Sequence, residues 1–330
     1  MSSRQSFASA AASYDGAAVL AREVGRRMAD RLDCVKLAPR RFADIGCATG
    51  DGVRTLMQRY PDALPLAVDY ALPMLAAVRE RTGWWKRLRG RAPRSLAADA
   101  RALPLAANSL DLAWSNLMLH WLPDPRPAFA ELHRVLAADG LLHFALLGPD
   151  TLKELRAAAA EVGTEVGAGW TAPTFPDMHD IGDMLMAAGF DDPVMEMEML
   201  TLTYRTPRAF LADQRRLGVR NGLLGRQSWR DWRRIFAAWE RDGGVLPARF
   251  EIVYGHAWKP APRALPDGRS VVSFQRFSGA PFAFGRTSVE PEREQRRRLG
   301  GREGASLRAG AEPGGPGFNP ADRRLARSAG

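Results

Sequence analysis

Cysteine is scarce in this chain. Cys34 and Cys47 are the only two in 330 residues, with no paired spacing, which excludes a disulfide framework or a cysteine-based zinc module and suits a reducing cytoplasm. Five histidines are scattered without ligand spacing, so no metal site is expected. No stretch approaches the roughly 18 uninterrupted apolar residues of a membrane span. The opening segment, MSSRQSFASAAASYDG, has one arginine and no apolar core of signal length. The expectation is a soluble, cytoplasmic protein without a membrane span. Lysine is nearly missing too, with four among 47 basic residues, which looks like a coding bias rather than a binding code. The formal net charge is +10, but 13 arginines face seven acidic residues from position 261 onward. Most of the excess therefore sits in a tail, not on a folded face, and no nucleic-acid partner is expected.

What the chain does have is apolar residues, 46% of the total, arranged with clear periodicities. Residues 18–33 repeat at helical spacing. Strands and helices then alternate: RRFADIG, a helix over 51–60, LPLAVD, a helix over 72–81, RSLAADA, DLAWSN, a helix over 126–138 and GLLHFALL. Such alternation predicts parallel strands joined by helical crossovers, the doubly wound α/β class. Thr151 reads as the N-cap of a helix running to about 162, GAGWTAPTFP as a loop, and 177–188 as a further helix. VMEMEMLTLTY and ARFEIVYGHAW alternate as the last two strands. Residues 207–242 between them look helical, broken near NGLLG, and predict a helical pair inserted as a lid over one end of the sheet. The expected organisation is a helical cap over 1–39, a domain over 40–260 with its insertion at about 205–245, and a basic tail over 261–330. That tail is expected to be disordered, because it buries too little to offset ordering entropy.

The chemistry is carried by RFADIGCATGDG, residues 41–52. Gly46 and Gly50 are spaced G-x-x-x-G, not the G-x-G-x-x-G of dinucleotide binding. The physics is related: glycines admit a ligand close to the backbone, and the next helix offers free N–H groups. Asp44, at the end of the strand, would repel a pyrophosphate but suits an amine-bearing ligand. The turn therefore fits a nucleoside carrying an amino acid better than one carrying phosphates. Asp69 ends the next strand, where a carboxylate can accept both ribose hydroxyls. Asp99 ends the third strand, within reach of an adenine amino group, and Asn116 follows the fourth. One such residue is usually a turn former or cap; four in order line the crevice at the carboxyl ends of an open sheet.

FADIGCATGDG, LAVDY and the stretch from AADARALP to LAADGLL resemble the class I S-adenosylmethionine-dependent methyltransferases over about residues 40–148. The resemblance implies a seven-stranded sheet with an antiparallel final hairpin. It also implies Asp44, Gly46 and Gly50 at the methionine moiety, Asp69 with Tyr70 at the ribose, and Asp99 with Ala100 at the adenine. Asn116 completes that cofactor set. SFASAAASYDGAA, DLAWSNLMLHWLPD, LLGPDTLKELR and LPARFEIVYGHAW further resemble the malonyl-acyl-carrier-protein O-methyltransferases of biotin synthesis, over roughly 7–258. Several of the same stretches are similar to a paralogous family of respiratory complex I assembly factors that hydroxylate an arginine. The AAASYD segment favours the biotin enzymes, and a non-catalytic S-adenosylmethionine-binding scaffold is a third alternative.

Under that resemblance a malonyl carboxylate, already ionised, needs no general base, so no acid–base residue is expected. Tyr14 becomes a positioning candidate because the family's amino-terminal segment folds over donor and acceptor. His120 and Trp121 follow the fourth strand on the acceptor side, and Arg156 is a candidate grip for the carboxylate. Tyr14, Trp121 and Arg156 form the expected substrate set, with malonyl-acyl carrier protein as partner. Each has an ordinary alternative: a packing aromatic, a structural histidine, a solvated arginine. Arginines also recur among Trp229, Trp232 and Phe236. That pattern reads first as a solvated face over a tryptophan-packed core, and second as a dock for an acidic carrier-protein helix.

Overall fold

A computed structural model describes residues 3–83, 92–163, 175–225 and 227–261. Three amino-terminal helices, α1 (Ser3–Ala10), α2 (Tyr14–Ala17) and α3 (Val19–Arg31), precede the sheet. The chain then runs β1 (Arg41–Ile45), α4 (Asp51–Arg59), β2 (Leu64–Asp69), α5 (Leu72–Arg81), β3 (Arg94–Ala97), β4 (Leu110–Asn116), α6 (Arg126–Val135), β5 (Leu136–Leu147), α7 (Lys153–Glu161), α8 (Met178–Ala187), β6 (Asp191–Tyr204), α9 (Pro207–Arg216), α10 (Arg220–Leu224), α11 (Trp229–Ala238) and β7 (Leu246–Trp258).

The seven strands are ordered β3-β2-β1-β4-β5-β7-β6. β1 to β5 are parallel, and β7 runs antiparallel to both of its neighbours. This is the doubly wound, mostly parallel sheet with a final hairpin expected from the sequence. Successive residues on a strand point to opposite faces, and the two cores follow that rule. Phe42, Leu112 and Trp114 pack with Val24 and Met28 of α3 and Val53 and Leu56 of α4. Their neighbours Ala43 and Ala113 join Phe129 and Leu132 of α6 and Ile181 and Leu185 of α8. The chain lays down β1, β2 and β3 in one direction, then crosses back to start β4 beside β1. Connections diverge at that point and open a crevice at the carboxyl ends of β1 and β4.

Four local expectations are corrected. The third strand ends at Ala97, and Asp99 instead forms an isolated bridge with Ala102. The helix after Pro125 stops at Val135, and β5 begins at the next residue. Thr151 is not an N-cap: its hydroxyl donates to the Glu251 carbonyl at 3.2 Å, and Leu152, at φ +54°, precedes α7. Between the paired strand ends Tyr204 and Leu246 lie three helices, not a pair, with breaks at Gly218 and Gly225. α11 packs into the core beside α7. Its Trp232 and Phe236 stack at 5.2 Å, and Trp239 meets Phe210 of α9 edge-on at 5.2 Å. The loop expected over 167–176 falls outside the described residues for 167–174, and so does the tail from 262 onward.

Candidate active site

A cavity of about 680 Å³ opens at the carboxyl ends of β1, β2 and β4, within the size range of small-molecule sites. Its walls come from three places. The strand ends and the turns after them supply Gly46, Ala48, Asp69, Tyr70, Asp99, Ala100 and Asn116. The segment after β4 supplies Met118, His120 and Trp121. Segments outside the parallel strand ends supply others, among them Arg4, Phe7 and Tyr14 before the sheet, Gln214, Leu217 and Leu223 between β6 and β7, and Tyr204 and Phe250 from the final hairpin.

The glycine turn is built as its spacing suggests, but its two glycines serve different surfaces. Gly46 lines the cavity at φ +76°, and a Cβ there would lie 2.2 Å from Met118 Cγ. Gly50 caps α4 at φ +88° with its Cα packed toward Val78, and does not line the cavity. Asp44 does not line it either. Its carboxylate is 2% exposed and accepts the Val53 N–H at the start of α4. Burial raises its carboxyl to about 7. Asp44 thus anchors the helix behind the turn rather than facing the cavity.

Asp69 faces the cavity in a fixed orientation. One carboxylate oxygen accepts the Ala48 N–H at 3.0 Å and the other the Ala71 N–H at 2.8 Å. Burial raises its pKa against the opposing effect of these N–H groups. The Tyr70 N–H also acts on the carboxylate, and the side chain keeps acceptor capacity toward the cavity. Asp99 lies farther out, held by Arg101 through Nη2 at 2.6 Å and Nε at 3.0 Å, contacts that lower its pKa. Asn116 donates to the Ala21 carbonyl at 2.8 Å, fastening α3 to the strand end. Its Oδ1 is buried with no partner. An acceptor left unpaired in a cavity wall costs stability unless a ligand donor meets it.

The far wall is aromatic. Burial pushes the His120 imidazole down to about 3, so it is neutral. Its Nδ1 accepts the Leu147 N–H at 3.2 Å, which places the ring proton on Nε2. Trp121 lies against His120 with centroids 4.9 Å apart and against Phe7 at 5.8 Å. A Cβ at Gly222 of α10 would lie 3.0 Å from the Trp121 ring. Burial, then the charge of Asp69, raises the Tyr14 phenol above its ordinary value, so it remains a donor. Burial likewise pushes Tyr70 up to about 12.

The amino-terminal helices are tied to both other walls. Thr49 Oγ1 donates to Asp15 at 2.6 Å, and Arg81 pairs with Asp15 and donates to the Thr49 carbonyl at 3.3 Å. On the other side, Ser13 Oγ donates to the Arg216 carbonyl at 3.1 Å.

Arg156 is not brought to the cavity. Its guanidinium donates to the Thr151 carbonyl at 2.7 Å and to that of Pro149, bracing the turn before α7. The sequence reading passed over Arg4, Phe7, Met118, Tyr204 and Gln214, all cavity-lining. Only Gln214 left a signal: it is the one polar residue on the buried face of α9, with Phe210 and Leu211. Among the described residues there is no His, Cys, Asp and Glu cluster able to hold a metal, and no helix long and apolar enough to cross a membrane.

Residues 43–144 match the family model described as a methyltransferase domain. The malonyl-acyl-carrier-protein O-methyltransferase of Gallionella capsiferriformans is 48% identical over 277 residues, covering 82% of this chain and 94% of that protein. Its namesake from Laribacter hongkongensis is 49% identical over 288 residues, with coverages of 82% and 94%. The chain belongs to the malonyl-acyl-carrier-protein O-methyltransferase family. Nothing in these relatives favours the arginine-hydroxylating or scaffold alternatives. Two solved structures share the fold at 15% identity. They are the YcgJ protein of Bacillus subtilis (TM-score 0.50, covering 72% of this chain and 99% of that one) and the BH2331 protein of Bacillus halodurans C-125 (0.52, 71% and 99%).

Proposed function

We propose that this enzyme methylates the free carboxylate of a malonyl thioester on acyl carrier protein, as a cytoplasmic step of biotin synthesis, with S-adenosylmethionine as donor. The observation that carries the reading is one continuous cavity with a carboxylate-rich wall and a wall of neutral donors. The first wall fits the donor: the remaining acceptor capacity of Asp69 suits the ribose hydroxyls, and the unpartnered Oδ1 of Asn116 suits an ammonium group. Asp99 and Ala100 lie at the adenine end, and Tyr70 beside the ribose. Asp44 and Gly50 act from behind, shaping the turn that Gly46 presents.

When bound, S-adenosylmethionine supplies a methyl group on a sulfonium, already activated for in-line displacement. The chain's part is positioning and exclusion of water. Tyr14 O–H and His120 Nε2–H hold the acceptor carboxylate through one oxygen, leaving the other free. Both donors are neutral, so the carboxylate is oriented without having its charge cancelled, as nucleophilic attack requires. Trp121 and Phe7 form the apolar floor. The helices over 205–245 serve as a lid and residues 1–39 as a cap. Masking the acid as an ester lets enzymes that expect an apolar chain end extend the product.

Incubation with labelled S-adenosylmethionine and malonyl-acyl carrier protein tests this. Base-labile label on the carrier is expected; label absent from the carrier ends the reading. Tyr14→Phe is expected to lose roughly tenfold in kcat/KM for the acceptor with donor affinity unchanged. An unaltered rate removes Tyr14 from the site.

A further inference from the structure

Arginine is treated differently in the two parts of this molecule. On the sheet and its flanking helices many arginines are matched by acids, such as Arg31 with Glu196, Arg59 with Asp33, Arg126 with Asp124, Arg134 with Glu131 and Arg249 with Glu154, while Arg22 and Arg156 donate to backbone carbonyls instead. In the insertion, residues 205–241 hold ten arginines and no lysine against Asp213, Asp231 and Glu240. Among the described residues, Arg208, Arg215, Arg216, Arg220, Arg230 and Arg233 make no ion pair.

The helices that carry them have a definite polarity. α9 buries Phe210, Leu211 and Gln214, and α11 buries Trp232, Ile235 and Phe236. Arg208 and Arg215, seven apart on α9, share its exposed face, as Arg230 and Arg233 share that of α11. Trp229, at the start of α11, is 55% exposed among them. Burial and the like charge of Arg215 together lower the Arg220 pKa, so two cations are crowded without an acid between them. α9 and the segment into α10 also line the cavity: Gln214, Leu217, Val219 and Leu223 face it from positions interleaved with Arg215, Arg216 and Arg220, while α11 follows them in sequence and does not reach it.

A cationic face on the outside of a cavity wall, with an exposed aromatic and no counter-charge of its own, fits an acidic protein surface that delivers a tethered acyl group through the wall's edge. We infer that α9, α10 and α11 form the docking surface for the carrier protein and engage an acidic helix on it. This rests on the proposed substrate, and it adds the place and chemistry of recognition. Long-range attraction between such faces raises association rates and is screened by salt.

The test compares the wild-type enzyme with the reversal variant Arg208→Glu/Arg215→Glu/Arg230→Glu/Arg233→Glu. Both are titrated with acyl carrier protein and assayed on two acceptors, malonyl-acyl carrier protein and malonyl-pantetheine, which has the arm without the protein. Carrier affinity and kcat/KM for the carrier substrate are expected to fall about 10- to 100-fold in the variant. Wild-type affinity should weaken with added salt, and turnover of malonyl-pantetheine should stay the same. Equal carrier affinity in the two proteins overturns the docking surface. So does wild-type binding to a random-sequence oligonucleotide but not to the carrier. Salt-dependent carrier binding lost in the variant, with no methyl transfer to either thioester, keeps the surface and overturns the proposed reaction instead.

Discussion

The two ends of the cavity are built by different means. At the proposed donor end the polar groups sit at strand ends and are held largely by backbone: Asp69 by N–H groups of the adjoining turns, Asn116 by the Ala21 carbonyl of α3, Gly46 by a bond from its N–H to the Val68 carbonyl at 2.8 Å. At the proposed acceptor end the walls include α1, α2 and the helices between β6 and β7; Thr49 ties Asp15 of α2 to the turn after β1, and Ser13 ties the amino-terminal segment to Arg216 of α9. Parallel strands hydrogen-bonded on both sides fix their ends firmly. Short helices docked through side chains can be exchanged without disturbing the sheet. Under the proposed reading, the donor's chemistry lies in the rigid part and the acceptor's in the attached parts.

The sharpest way to break this contrast is at Asp69. Asp69→Ala removes the proposed ribose acceptor and frees the Ala48 and Ala71 N–H groups. Donor affinity is expected to fall roughly 100-fold, measured by calorimetry, while the acceptor KM barely moves. A shift in acceptor KM alone would reverse the assignment of the two ends.

His120 tests the other end. Burial holds its imidazole at about 3, so it is neutral across the working range and kcat/KM should show no titration between pH 6 and 9. His120→Ala is expected to cost about tenfold in kcat/KM for the acceptor, with donor affinity retained. An inflection near pH 6.5 that vanishes in the variant would mean a protonated histidine.

The smallest expected effect concerns the support behind the turn. The Asp44 carboxyl titrates near about 7 in the folded chain against an ordinary 3.8, because burial disfavours its anion. Between those values the folded state holds a proton the unfolded chain releases. Its contribution to stability is therefore full below the ordinary value and fades as pH rises through 7. Asp44→Asn cannot titrate there. Without donor, its melting temperature relative to the parent should climb from pH 5 to pH 8; a difference independent of pH contradicts the burial argument.

Part of the cavity wall is legible because strand-end residues and a glycine turn stand in register with apolar runs. Gly46, Asp69 and Asn116 line one cavity from successive strand ends, and Asp99 joins them from the loop beyond β3. What spacing could not show is which way a side chain turns: Asp44 sits at a strand end like Asp69, yet faces α4. Arg156 misled for a related reason, since a cation beside the right motif was satisfied by carbonyls of its own turn. The acceptor end was hardly legible. Arg4, Phe7 and Tyr204 reach the cavity through tertiary packing of segments far apart in sequence. Thr151 failed as a cap because its hydroxyl had a partner across the sheet at Glu251.

The central claim is that one cavity holds S-adenosylmethionine against its strand-end wall, and calorimetric titration tests it most directly. The account predicts heat for one equivalent of S-adenosylmethionine, lost in Asp69→Ala and preserved in Tyr14→Phe. No heat with that compound, together with clear heat from a nicotinamide or flavin cofactor, would contradict it.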